Sequence, residues 1–255
     1  MKIAICISGL PSSYKEGFKE LKKWFLSRYD CDVYIHTWKD TTTKFKSSHN
    51  FTKTRYYNFT EEDYQNIIDL YQPKSYNFQK PIPFDINEIT GINLGYKLNN
   101  ILSAALSAQS CFNLLEESKI DYDLIIRYRF DLQFTDYVSP KCIFLDDITK
   151  VDPNKISVFS FPKDEDGKPT RVCEMDDIFA VGGYKPMKIF YSYFSYILYY
   201  VYMDEDYSNW LEYHVTNPDL LSAEPLLKYH LTNNNIEINP VESGVSHWYT
   251  AGIIR

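Results

Sequence analysis

The sequence is short of the signatures that usually settle a chemistry. It holds no Gly-x-x-x-x-Gly-Lys-Ser/Thr run and no Gly-x-Gly-x-x-Gly, so neither a P-loop nor a dinucleotide fingerprint is present. No Gly-x-Ser-x-Gly elbow exists for a Ser-His-Asp hydrolase. Cysteine is scarce. Its five copies (Cys6, Cys31, Cys111, Cys142, Cys173) are odd in number and never spaced Cys-x-x-Cys, which argues against a zinc site and a disulfide scaffold. A reducing, cytoplasmic setting is the simplest expectation. Positive charge is also in deficit. The net charge is −7 and no basic tail exists, which disfavours a nucleic-acid partner because phosphate neutralisation needs a positive footprint. Long apolar runs are missing too. The most apolar stretch, MKIFYSYFSYILYYVYM (187–203), is broken by two serines and many tyrosine hydroxyls, so it is expected as a largely buried helix and no transmembrane segment is expected. The opening MKIAICISGL has no cleavage pattern and reads as no secretory signal. Internal repeats, low-complexity segments and a domain linker are likewise absent.

What remains is an apolar fraction of 44% and an aromatic fraction of 17%, ample for a sizeable core and against disorder. The expected fold class is α/β: a Rossmann-like, mostly parallel central sheet flanked by helices, in one domain. Residues 2–8 read as a buried strand ending at Ser8-Gly9. Ser13 with Glu16 three residues on is a capping-box pattern opening a helix. CDVYIHTW (31–38) is a second strand. The polar, Thr-rich 39–58 reads as a loop, suited to a lid. Thr60 caps a helix that ends before Pro73, and 74–86 holds a third strand and a turn. The clearest helix spans 96–118, with a stripe of Leu98, Ile101, Leu102, Ala105, Leu106, Gln109, Phe112 and Leu115. Strands follow at 123–130, 155–161 and 176–183, with 162–171 an exposed loop. A helix at 222–231 has Ser222 as cap and Pro225 in its first turn. The tail 241–255 reads as irregular.

In a parallel sheet, ligands bind beyond the carboxyl ends of the strands. Three strands here end in suggestive sequence: SGLPSS, HTW and RYRFD. Period-2 geometry predicts Arg127, Arg129 and Asp131 on one face, a set that suits a diphosphate and a divalent cation, or else forms a plain ion pair holding a loop. The loop from Ser8 and Gly9 through Pro11, Ser12 and Ser13 can present amides to a nucleotide at a helix start, or be an ordinary β–α turn. His36 and Trp38 can hydrogen-bond and stack on a base or sugar, or simply pack. GYKLNN puts Lys97, Asn99 and Asn100 near a helix N-terminus. Glu174, Asp176 and Asp177 precede an apolar strand, and Glu224 sits in the first turn of a helix. Each of these carboxylates can act as a base or serve local structure. His247 and Trp248 lie in the tail. His214 and His230 have no ligand partner one turn away and read as structural.

KIAICISGLPSSY, CDVYIHTW, YDLIIRYRFDL, DDIFAVGG and AEPLLKYHL, in that order, resemble nucleotide-sugar-dependent glycosyltransferases of the GT-A fold, of the kind found in bacterial surface-polysaccharide loci and large DNA viruses. The resemblance spans nearly the whole chain. It implies transfer of a sugar from a nucleotide-sugar donor to a hydroxyl of a glycan acceptor. The donor would be bound by Ser8, Gly9, Pro11, Ser12, Ser13, His36, Trp38, Asn99, Arg127, Arg129 and Asp131. The fold's Asp-x-Asp motif falls on Arg129-Phe130-Asp131, so Mn²⁺ or Mg²⁺ would rest on Asp131, helped by His247. Asp177 or Glu224 would be the base of an inverting reaction. Two departures stand out: Ser12 occupies a position where similar sequences often carry arginine, and Arg129 replaces the first aspartate of the motif. The rival readings are a nucleotidyltransferase on a similar sheet and a non-catalytic nucleotide-sugar or glycan-binding module.

Overall fold

The computed structural model describes residues 1–42, 44–49, 53–84, 95–134, 146–160, 175–214, 223–242 and 251–253. The side chains of 46–49, 53–55, 95–97, 160, 176, 212–214, 242 and 251–253 are not among them.

Nearly continuous Ile, Val, Leu and Tyr runs make the central strands, because a strand covered on both faces by helices has no polar side to alternate with. The chain opens with β1 (Lys2–Ser8), α1 (Tyr14–Leu21, continued by a wider π-type turn over Lys22–Leu26) and β2 (Asp30–Trp38). A hairpin of β3 (Phe45–His49) and β4 (Lys53–Tyr57) precedes α2 (Glu61–Tyr71) and β5 (Ser75–Gln79). The long α3 (Gly95–Ser118) leads to β6 (Leu124–Tyr128) and the short β7 (Leu132–Phe134). After β8 (Ile156–Ser160) and β9 (Met175–Gly182) come α4 (Tyr184–Ser192), α5 (Ile197–Tyr202), α6 (Glu205–His214) and α7 (Ala223–Asn233). The last strands are β10 (Ile238–Glu242) and β11 (Ala251–Ile253).

Among the described residues, seven strands form one sheet in the order β10-β8-β9-β6-β1-β2-β5. Neighbours pair in parallel except along β9, which runs against both β6 and β8. The chain winds outward from β1 through β2 to β5, then crosses back to β6 on the other side of β1. The winding therefore reverses between β1 and β6, and a crevice opens there beyond the carboxyl ends. Strand alternation sorts the core into two layers. Ile3, Ile5, Ile7, Leu124, Ile126 and Tyr128 face α1 and α2; Ala4, Cys6, Tyr34 and Ile125 face α3, α4 and α7. No helix among the described residues is long and apolar enough to cross a membrane.

Several expectations change. Ser13 does not cap α1: its backbone is left-handed (φ 58°) and its side chain makes no cap bond, whereas Thr60 and Asp63 form the reciprocal capping box on α2. The supposed loop at 39–58 contains the β3–β4 hairpin, pairing Phe45 with Tyr57, and both rings pack on Phe59. Its serines, threonines and lysines hid the strand pattern, which rests on aromatics at its ends. The aromatic helix starts earlier than 187, because Pro186 fits a first helical turn, and it breaks into a 3₁₀ turn at Tyr193–Tyr196. His230 fixes that break: Nδ1 meets Tyr200 Oη at 2.8 Å, and Nε2 meets Ser192 Oγ and the Ile189 carbonyl, each at 3.1 Å. This supports the structural reading of His230. The helix α6 was not anticipated, and the irregular tail contributes the end of β10 and the strand β11, which pairs with β7. The expected loop 162–171, Ser222 and the side chain of His214 lie outside what is described.

Candidate functional site at the carboxyl edge of the sheet

Three strand ends meet at the crevice. The parallel register sets Ser8 beside His36 on β1 and β2, and Ile7 beside Tyr128 on β1 and β6. Gly9 follows at φ +113°, a conformation that L side chains rarely adopt, so a residue with a Cβ here would be strained. Its N–H donates to Ser107 Oγ (3.2 Å) and its carbonyl accepts from Thr37 Oγ1 (2.7 Å). Pro11 and Ser12 are buried in the loop, and Ser13 is half-buried.

Ser107 also touches His36 Nδ1 at 2.8 Å, and the His36 carbonyl at 3.5 Å. Ser107 Oγ donates to that carbonyl, and which atom donates in the shorter contact is set by the ring's tautomer. Burial holds the imidazole down to about pKa 4, so it is neutral at physiological pH. The Gln79 side chain lies close enough to oppose that shift, yet Nε2 has no partner in hydrogen-bonding geometry. Ser8 Oγ and Asn99 Oδ1 are likewise buried without partners. Because α3 runs antiparallel to the strands, Asn99 stands about 12 Å past Ser107 along the helix axis, on the wall above the strand ends. Buried polar atoms are rarely left unsatisfied, and three at one strand edge mark a place that a ligand or water completes.

Trp38 departs from its expected role. It is 4% exposed and packs edge-on to His36 at 5.1 Å, so it is a wall rather than a stacking face. The α3 stripe is also rotated: Ser107, Ala108 and Cys111 are buried, while Leu106 and Gln109 are not. Ser107 was missed as a site residue. Its signal was a lone hydroxyl two turns from Asn99 on an otherwise apolar face.

The RYRFD stretch does not keep one face. β6 ends at Tyr128, and a turn closed by Leu132 N–H to the Arg129 carbonyl (3.3 Å) breaks the alternation. Phe130 packs on Tyr71, and Gly17 of α1 lies so close that a Cβ there would sit 1.8 Å from the Phe130 carbonyl oxygen. Asp131 therefore falls on the α1/α2 side, where it acts electrostatically on Tyr71 and Tyr128. Arg127 points to the other layer. It is 6% exposed and its Nη1 donates to the Ser8 and Tyr128 carbonyls. Its guanidinium has no ion-pair partner among the described residues.

Arg127, Asp177 and Glu224 converge on one neighbour, the buried Tyr193. Its phenol is pushed far up, chiefly by burial and further by the two carboxylates, against the arginine. Asp177 stands near the start of β9 and Glu224 in the first turn of α7, and both of those ends lie at the carboxyl edge of the sheet. So Ser8, Gly9, His36, Asn99, Arg127, Asp177 and Glu224 line one edge, and Arg129 and Asp131 its α1-side flank. Glu174, His247 and Trp248 lie outside the described residues, as do the side chains of Asp176 and Lys97.

Among the described residues, Asp131 does not present the open carboxylate that the implied divalent metal would need, and His247, the other implied ligand, lies outside them. Both Asp131 carboxylate oxygens accept from Arg129, from Nε and Nη2 at 2.9 Å each, and the aspartate side chain is 8% exposed. Among the described residues no three His, Cys, Asp or Glu side chains cluster as metal ligands would. No family model matches this chain, and no curated protein matches it.

Proposed function

We propose that the chain is a glycosyltransferase of the GT-A type, moving a sugar from a nucleotide-sugar donor to a hydroxyl of a glycan acceptor. The observation that carries this reading is Arg127. A guanidinium taken out of water without a counter-charge is costly, and at a sheet's switch point an anionic ligand supplies the missing charge. The donor's diphosphate has that charge. The unpartnered Ser8 Oγ and His36 Nε2 lie one and two strands away, suited to the polar edge of the nucleoside. The mostly parallel sheet with one reversed strand beside β6 is compatible with the GT-A fold.

In the reaction, the bond between the sugar's anomeric carbon and the diphosphate oxygen breaks, and its electron pair leaves with the nucleoside diphosphate. A bond forms from the acceptor hydroxyl oxygen to that carbon. Asp177 or Glu224 takes the hydroxyl proton, while Arg127 balances charge developing on the leaving oxygen. The β3–β4 hairpin is suited to cover the donor.

The test is turnover. Purified protein with a panel of nucleotide sugars and mixed oligosaccharides should release nucleoside diphosphate, and Asp177→Asn or Glu224→Gln should remove that release while leaving donor binding. Consumption of a nucleoside triphosphate with a sugar phosphate instead would make it a nucleotidyltransferase. Binding without consumption, unchanged in both variants, would make it a non-catalytic module.

A further inference from the structure

We infer that Arg127 and Arg129 neutralise the donor's diphosphate in place of a divalent cation, and that Asp131 is a positioning residue for Arg129 rather than a metal ligand. This rests on the glycosyltransferase reading and adds the charge chemistry of its donor site.

A hard cation is held by carboxylate lone pairs, and a bidentate guanidinium uses the same lone pairs. In Asp131 both oxygens are engaged at 2.9 Å, and the side chain is almost wholly screened from solvent by the turn and the Tyr71 layer. A dication entering there would have to displace Arg129 and then sit beside its charge. The second carboxylate that would offset this repulsion is absent from the motif, since that position is Arg129 itself. The fork geometry also explains why the aspartate is there. It fixes a long side chain that would otherwise sample many rotamers. Arg127 adds the second charge from the opposite layer, donating to backbone carbonyls and paired with no carboxylate among the described residues. Two guanidiniums thus flank Tyr128 at the carboxyl end of β6, Arg127 on backbone carbonyls and Arg129 with its Nε and Nη2 on Asp131, and guanidinium N–H groups are the donors that phosphate oxygens accept.

The experiment is calorimetric binding of UDP, GDP, CDP and ADP to the full chain, once in EDTA and once in millimolar MnCl₂ or MgCl₂. At least one diphosphate should bind in EDTA with a Kd within about two-fold of its value with metal. Arg127→Met and Arg129→Met should each weaken that binding by about ten-fold or more in EDTA, and Arg129→Lys should recover part of it. Asp131→Asn should weaken binding less than Arg129→Met, equally with and without metal. Because Arg129→Met leaves a buried carboxylate unpaired, the double variant Arg129→Met/Asp131→Asn, checked by thermal melting, separates lost binding from lost folding. Binding that appears only with Mn²⁺ or Mg²⁺, or a metal-dependent gain abolished by Asp131→Asn, overturns the inference and leaves the glycosyltransferase reading standing. No binding of any diphosphate in either buffer overturns both.

Discussion

Two side chains on the same face of β2, two residues apart, live in opposite polar surroundings. Tyr34 Oη meets Tyr122 Oη at 2.6 Å, and Tyr122 in turn donates to Asp32 Oδ2 at 2.7 Å, so Tyr34 is the donor to Tyr122. Asp32 also holds Lys74 at 3.0 Å and Lys2 at 3.3 Å, which closes the network on ion pairs. His36, at the other end of the strand, has one ring nitrogen on Ser107 and the other on nothing, with Ser8 Oγ unpartnered beside it and Arg127 uncompensated beyond. The same sheet therefore completes its polar groups at the amino edge and leaves them open at the carboxyl edge. Low-dielectric surroundings raise the cost of an open group, and the donor site proposed above would satisfy these.

The sharpest way to break this contrast is to remove the cation. Arg127→Met should lower diphosphate binding about 100-fold while changing unfolding free energy by less than about 1 kcal/mol, because a buried unpaired charge leaves along with its two carbonyl contacts. Calorimetry and denaturant unfolding on one variant check both halves. A large stability loss would instead make Arg127 a structural tie.

Gly17→Ala tests whether α1 positions the RYRFD turn. A methyl driven against the Phe130 carbonyl should cost about 3 kcal/mol in urea unfolding and weaken binding as the turn shifts.

Acid should separate the two edges. Burial lowers the His36 pKa to about 4 from the ordinary 6.5, so the unfolded chain binds more protons between those values. The contribution of neutral His36 is full above pH 6.5 and is lost as pH falls toward 4, about 3 kcal/mol over that window. His230, also held down to about 4 by burial, adds to the same slope. For Asp32, burial would raise the pKa, but hydrogen bonds from Tyr122, Lys74 and Lys2 outweigh it and lower it below 3.8. Its contribution is present above pH 3.8 and lost only as pH falls further. Thermal melts from pH 8 to 3 should therefore lose stability first between 6.5 and 4, and replacing His36 with Gln should remove about half of that slope, leaving the part due to His230.

The smallest effect belongs to the closed edge. Tyr34→Phe should cost about 1 kcal/mol, since one hydroxyl leaves while Tyr122 keeps Asp32, and donor binding should not change. A binding change would mean the two edges are coupled through β2.

Much of this was legible in the chain. The strand β1 and the helices α2 and α3 follow from apolar length, a cap and period, and the open sheet from their alternation. The site was legible as a place, because strand ends in such sheets carry ligands. Its internal order was not. Ser107 looked like one serine among several, Trp38 like a stacking face, and Arg127, Arg129 and Asp131 like one row.

The sequence by itself determined which segments are buried strands and that polar and charged residues crowd their carboxyl ends, because hydrophobic period and strand length are local properties. Only the tertiary structure decided which of those groups find partners. Arg129 and Asp131 pair because β6 ends at Tyr128 and the turn folds back over Gly17, while Arg127, in the other layer, donates to the Ser8 and Tyr128 carbonyls and pairs with no carboxylate among the described residues. Charge compensation depends on what lies within a few ångströms across the sheet, and no periodicity along the chain encodes that.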